Sequence, residues 1–307
     1  MVGRMWFSRR DGTQVRDLPA YRRIMPFIMR SKNESVAYFE QTLDLTKTEA
    51  FIEAWNARGG RKITLYHLMM WGIVQVLAKR PRLNRFVAGS SIYQRDGIWI
   101  STSAKKAMHD DSPVVVLKRR YAPEQSFTEL VESMYSTLDE GRSDKKSHVD
   151  KELNVLLKLP TFLLRALVRL QMWLDAWNLL PMAFITPDPL YASFFLANLG
   201  SLKMNAVHHH LYEYGNIPIF ACIGKKERTP VFAEDGSVQS RMTCTIKYTY
   251  DERIEDGLYC AAALDLLRTI VEDPSAAGAA SFDVEVEEAG PVSSVHTRIT
   301  APRTATA

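Results

Sequence analysis

From Met242 to Tyr250 the chain alternates: Met242, Cys244, Ile246, Tyr248 and Tyr250 fall on one side, and Thr243, Thr245, Lys247 and Thr249 on the other. That is the period of a strand. Apolar residues then recur at helical spacing, at Leu258, Ala261, Ala262, Leu266 and Ile270, up to Asp273-Pro274, which predicts a helix over Leu258 to Val271. A second helical pattern runs from Leu153 to Leu180 and is broken at Pro160. Its part from Phe162 to Leu180 raises a membrane question, but Arg165, Arg169 and Asp175 interrupt it. An arginine at a bilayer centre costs about 2.5–3.5 kcal/mol, so a transmembrane reading fails. The segment is read as a pair of amphipathic surface helices, Arg165 and Arg169 sharing a side with Lys158 and leaving Leu163, Leu167, Leu170 and Leu174 to pack. A subunit contact or lid is the next reading, and a membrane-surface helix over 162–180 the last. After Pro274 the composition turns to Ala, Ser, Val, Thr and Pro, the pattern of a disordered tail over 275–307.

Between the strand and the last helix lies Asp251-Glu252-Arg253-Ile254-Glu255-Asp256-Gly257. A strand, then Asp-x-Arg-x-x-Asp-Gly, then an Ala/Leu helix closing on Glu-Asp-Pro resembles the C-terminal hallmark of one enzyme family. This is the dihydrolipoyl acyltransferase catalytic domain of 2-oxo acid dehydrogenase complexes, a relative of chloramphenicol acetyltransferase. Ile63 to Trp99 is similar to the family's long helix, Arg-Pro-x-Leu-Asn turn and hairpin. Tyr191 to Ser201 is similar to its Phe-x-Ile-Ser-Asn-Leu-Gly strand, and Pro218 to Gly236 to its apolar strand, Gly-Lys turn and hairpin. Arg16 to Lys32, a helix interrupted at Pro26, and Val36 to Leu45, a strand, open the frame. The resemblance implies an α/β (α+β) fold of the chloramphenicol acetyltransferase-like type, a mixed sheet flanked by helices over 1–274, with Ile63 to Lys79 as a long buried helix. The chief departure is a helical insertion near 140–190.

Composition narrows the picture. With 307 residues and 46% hydrophobic content the chain supports one large domain with a buried core. Cys222, Cys244 and Cys260 lie in apolar elements without a Cys-x-x-Cys pair, and read as reduced core residues of a cytoplasmic protein. The N-terminus shows no apolar stretch with a small-residue cleavage site, so no secretory signal is expected. A net charge of +4 is too small to argue for nucleic acid. The arginines before Lys32 read as solvated or paired with carboxylates. No lipoyl domain, Ala/Pro linker or subunit-binding domain is read before the catalytic frame, so the resemblance implies an external acyl carrier, coenzyme A or an acyl-CoA.

The family moves an acyl group between two thiols, using a histidine as base and a serine or threonine as oxyanion donor. At the matching positions this chain has Glu252 and Ala197, while Asn198, Asp256 and Gly257 of the surrounding motifs remain. A thiol near pKa 8.5 lies about 2 units above a histidine but about 4 above an ordinary glutamate, which adds about 3 kcal/mol to the proton transfer. A lost oxyanion donor costs a further factor of about 100–1000. Crowding by Glu255 and Asp256 would raise the Glu252 carboxyl, and Arg253 would lower it. The replacement base available is the run His208 to His210, with His209 as the alternative base. His208 and His210 share a face with Tyr212 if extended; hydrogen-bonded loop histidines are the plainer reading. No spaced ligand motif accompanies them, so no metal is expected. His67 reads as a core residue, and His109, His148 and His296 as surface or tail.

Two readings stand. One is an acyltransferase with altered chemistry that takes a small-molecule acyl thioester; the other is a non-catalytic binding or scaffolding protein. The resemblance implies a homotrimer for either, because the family's site lies between subunits. Larger cages are not expected.

Overall fold

The computed structural model describes residues 9–105, 112, 114–142, 156–232, 235–279, 284–287 and 296–299. His109 and His148 lie outside them. In chain order the elements are β1 (Gly12–Gln14), α1 (Ala20–Ile28), β2 (Val36–Asp44), α2 (Thr46–Ala57), α3 (Leu65–Lys79), β3 (Arg85–Ala88), β4 (Ser91–Arg95), β5 (Ile98–Lys105) and β6 (Val114–Tyr121). They continue with α4 (Phe127–Arg142), α5 (Thr161–Ala176), α6 (Met182–Ile185), β7 (Phe194–Asn198), β8 (Ile219–Phe232), β9 (Val238–Asp251), α7 (Gly257–Glu272), β10 (Val284–Glu287) and β11 (His296–Ile299).

Six strands form the main sheet in the order β2-β9-β8-β7-β5-β6. β7 runs parallel to both β5 and β8, and the other pairings are antiparallel. The mixed α/β sheet flanked by helices is the expected architecture. β1, β4 and β3 make a small separate sheet. One face of the main sheet buries the large core, in which Phe51, Leu68, Met69, Leu130, Ile246 and Leu267 meet. The other face carries a smaller cluster, Phe195, Ala197, Leu211, Ile217, Phe220 and Cys222, under the segment that joins β7 to β8. All three cysteines are free and buried.

The long buried helix α3 starts at Leu65, two residues later than Ile63, because Thr64 is extended and caps it. Thr64 and His67 form a reciprocal capping box in which imidazole replaces the usual glutamate. Gly72 lets α7 approach closely: a β-carbon there would lie 2.7 Å from Leu267 Cδ1. α1 is shorter than the expected 16–32 and runs through Pro26 rather than breaking at it, ending at Ile28. Proline in the last turn removes one hydrogen bond only, and the amide of Met29 still reaches the carbonyl of Met25 at 2.9 Å. The expected Gly-Lys turn at 224–225 is a bulge inside a continuous β8, with the register shifting between Ile223 and Lys226. The reason is local: the amide of Lys225 leaves the ladder and donates to Met204 at 2.8 Å.

The packing expected of the second helical pattern needs correction. α5 forms after Pro160, and Leu174 packs on the cluster of Leu180, Ile185 and Tyr191, but Leu163, Leu167 and Leu170 stay exposed. Its attachment lies at the C-terminal end, where buried Asp175 accepts a hydrogen bond from Arg9 Nη1 at 2.8 Å. In the expected tail, Val284–Glu287 and His296–Ile299 pair as antiparallel strands beside α2. Most of 280–307 lies outside the described residues.

His67 is the core histidine expected. Its Nδ1 accepts the Thr64 amide at 3.2 Å, its ring stacks on Tyr135, and burial pushes it down to about 4. The unfolded chain thus takes up a proton near pH 6.5 that the folded chain refuses until about 4. Stability contributed by neutral His67 is complete above 6.5 and falls as pH drops through that window. His67→Gln keeps the capping box without a titrating group. Between pH 7 and 4.5 the native chain should lose about 2 kcal/mol more than the variant in urea unfolding.

Candidate functional site

β9 delivers the chain to a corner that is tied down on every side but one. Arg253 forks onto Asp251, with Nε to Oδ1 at 2.8 Å and Nη2 to Oδ2 at 2.7 Å, and its Nη1 donates to the carbonyl of Met29 at 3.0 Å. Glu255 is buried among Arg85, Arg82 and Arg22, at 3.1, 3.5 and 3.7 Å. Asp256 caps α7 by accepting the Tyr259 amide at 2.9 Å, and that hydrogen bond holds its carboxyl below the usual range. The Glu252 backbone is clamped as well: its amide donates to Ser35 at 2.9 Å and its carbonyl accepts from Arg22 Nη1 at 2.9 Å.

The Glu252 side chain, half-buried, makes no hydrogen bond or ion pair among the described residues. Arg253 is engaged by Asp251, Glu255 by three arginines, and Asp256 by the Tyr259 amide and Arg22, so none of the three neighbours that the sequence offers as tuners pairs with the Glu252 carboxylate. The corner presents one free carboxylate on a rigid frame.

Ala197 and Asn198 end β7, between β5 and β8. Ala197 is buried and has no donor to offer. Asn198 Oδ1 accepts the Ser201 amide at 3.2 Å, and the Ser201 hydroxyl donates to the Asn198 carbonyl at 2.8 Å, so this serine is engaged locally. Gly200 is required by space, since a β-carbon there would lie 2.3 Å from the Gly224 carbonyl oxygen.

Ala197 is level with Cys222 on β8 and so with Lys247 on β9, while Glu252 lies five residues further along and two strands across. At about 3.4 Å per residue and 4.8 Å per strand, the two are roughly 20 Å apart in one chain. The fold does not bring them together within a protomer.

It does bring His209 to the Ala197 face. The strap after Gly200 crosses the sheet, with Ala206 against Gly224. His208 then meets Tyr38 edge-on at 5.1 Å, and His209 stacks flat on Phe220 at 4.0 Å. Phe220 in turn stacks on Phe195 at 4.5 Å, two residues along β7 from Ala197 on the same face. His210 and Tyr212 do meet, at 5.1 Å, but His208 is directed to β2 instead of sharing their face. His209 Nδ1 lies 2.7 Å from the His210 carbonyl oxygen, an acceptor, so Nδ1 carries the proton. Nε2 keeps its lone pair. Burial favours this neutral form and moves His209 below the ordinary imidazole range. Sequence named the residue; the stacking that orients it is a tertiary contact.

Among the described residues, no group of three or more His, Cys, Asp or Glu is placed to hold a metal ion. No described helix is long and apolar enough to cross a membrane. Arg9 and Arg22 of the basic N-terminal stretch are paired with carboxylates.

This geometry belongs to a known architecture. A probable dihydrolipoamide acetyltransferase from Listeria monocytogenes superposes with a TM-score of 0.56 at 18% identity, over 85% of this chain and 95% of that one. The dihydrolipoamide acetyltransferase of Azotobacter vinelandii, studied for the catalytic roles of a serine, a histidine and an asparagine, gives 0.55 at 18% identity over 86% and 93%. A truncated catalytic core of the 2-oxoacid dehydrogenase multienzyme complex from Thermoplasma acidophilum gives 0.53 at 15% over 85% and 99%. No protein-family model matches the sequence, and no curated protein sequence matches it significantly. The chain has the fold of dihydrolipoamide acetyltransferase catalytic cores.

The Gly200 contact yields a direct check. Gly200→Ala should destabilise the protein by about 2 kcal/mol in urea unfolding, because backbone rather than a flexible side chain must move.

Proposed function

We propose that this protein binds an acyl thioester of coenzyme A and passes the acyl group to a thiol, with His209 in place of the usual base. The observation that carries this reading is the free Nε2 of His209 on the face that holds Ala197. In the proposed step Nε2 takes the acceptor thiol's proton and the thiolate attacks the thioester carbonyl. The oxyanion then collapses, and the departing coenzyme A thiolate recovers the proton. Ala197 gives that oxyanion nothing, so turnover is slow: one missing donor costs about 3–4 kcal/mol.

Glu252 could stand beside this site only from a second copy, and it takes no part in the proposed step. The roughly 20 Å between Ala197 and Glu252 in one chain suits a site shared between subunits, and we assign a homotrimer. In the Azotobacter vinelandii protein the histidine and asparagine under study are four positions apart, the spacing of Glu252 and Asp256 here. The second reading, a non-catalytic thioester-binding trimer, is favoured by the loss of both reactive groups from an intact frame.

Acetyl-CoA turnover with a dithiol acceptor, followed by thiol release, separates the readings. The native chain should be slow, and His209→Gln should lower kcat about 100-fold or more, with Glu252→Gln changing it little. The acid limb of the native pH profile should fall below pH 6.5, since burial lowers His209, and should vanish in His209→Gln. Ala197→Ser with Glu252→His should raise turnover by more than the product of the single changes. No native turnover, together with activity in the double variant, would establish the non-catalytic reading. A light-scattering mass of one chain at micromolar concentration would end the trimer assignment.

A further inference from the structure

We infer that α5 is a docking helix for an anionic membrane surface. It stands out from the body of the protein: of its first ten residues, Thr161 to Leu170, only Leu164 is even half-buried. The exposed side chains there are large and apolar. Phe162 is 74% exposed, Leu170 50%, Trp173 53% and Trp177 61%.

At 3.6 residues per turn, Phe162, Leu163, Leu167, Leu170, Trp173 and Trp177 occupy one arc of about 140°, within which only Leu174, near the attached end, turns onto the cluster of Leu180, Ile185 and Tyr191. Leu164, Gln171 and Asp175 lie on the side turned to the body. Arg165 and Arg169 flank the Phe162 and Trp173 edge of the arc, both exposed. An apolar arc bordered by cations and carrying tryptophans is the arrangement of a helix lying in a lipid interface. No soluble monomer gains by leaving such a patch in water.

Charge decides between lipid and a second copy of the chain. From Leu156 to Thr186 the charged residues are Lys158, Arg165, Arg169 and Asp175, and Asp175 is buried against Arg9. Every exposed charge on this projection is positive. On a two-fold axis this face would oppose arginine to arginine, and in the head-to-tail contacts of a trimer it would need an acidic surface on the neighbour, whereas an anionic headgroup layer complements it directly. The anchoring also fits: the buried pairs of Arg9 with Asp11 and Asp175 fix the C-terminal end to the protein and leave the rest of the helix free to lie on a surface.

The test is co-sedimentation of the full chain with phosphatidylcholine vesicles, with and without phosphatidylglycerol. The native protein should pellet only with the anionic vesicles, less so at high salt, and its tryptophan emission should shift to the blue. Each arginine near such a surface contributes roughly fivefold, so Arg165→Ala with Arg169→Ala should lower partitioning about 25-fold. Trp173→Ala with Trp177→Ala should remove most of the emission shift. All four side chains are exposed, so thermal unfolding should be unchanged. Lys203→Ala with Arg228→Ala, exposed cations away from α5, serves as the charge control and should bind as the native chain does. Failure of the native protein to pellet overturns the inference, as does an equal loss in the control. A native protein that ignores vesicles but falls in light-scattering mass on Leu170→Asp would place a second copy on this face instead.

Discussion

The backbone contact between Gly200 and Gly224 is the constraint on which the site face depends. Any side chain at Gly200 would strike the Gly224 carbonyl, and any at Gly224 would come within 2.7 Å of the Ala206 amide nitrogen. With both absent, the strap lies flat on β8, and the Lys225 amide finds its partner in Met204 rather than in β9. The same contact therefore produces the bulge in β8 and the path that lays His209 on Phe220. The far end of the strap is held by Lys32, a buried ammonium that donates to the carbonyls of Tyr212 and Gly215 and is pushed down to about 8 by burial. Backbone carbonyls that would otherwise be buried without partners are thereby satisfied.

The corner after β9 follows a different logic. Asp251, Arg253 and Glu255 are buried charges, and each is matched by partners with good geometry. Such pairs gain little net stability over apolar packing, but they define one arrangement, because removing either partner leaves an uncompensated charge. They fix where residue 252 stands, whatever its side chain. This explains how a motif can retain its Asp-x-Arg-x-x-Asp-Gly frame while the reactive position holds glutamate. The frame is a structural requirement of β9, α1 and α7, which meet there, and its upkeep does not depend on catalysis.

The sequence by itself determined the strand and helix that flank this corner, the long helix α3, the order of the central elements and the identity of the residues at the two reactive positions. These follow from periodicity and from short motifs, in which each residue's role is set by neighbours a few positions away. His67 was legible as a core residue for the same reason, standing among apolar neighbours on α3. Only the tertiary structure decided the rest. The Gly-Lys pair reads locally as a turn, and became a bulge because an amide partner lay 21 positions earlier in the chain. The leucines of α5 read as a packing face, yet whether a face is covered depends on where the helix is attached, and Asp175 attaches it by one end. His208, His209 and His210 are equivalent by residue type; stacking on Phe220 and a carbonyl at Nδ1 separate His209 from the others. Ala197 and Glu252 belong to one motif set in the sequence but lie far apart in the protomer, because two strand spacings and five residues of rise separate them. Local pattern fixes what an element is, whereas contacts between distant segments fix what it faces.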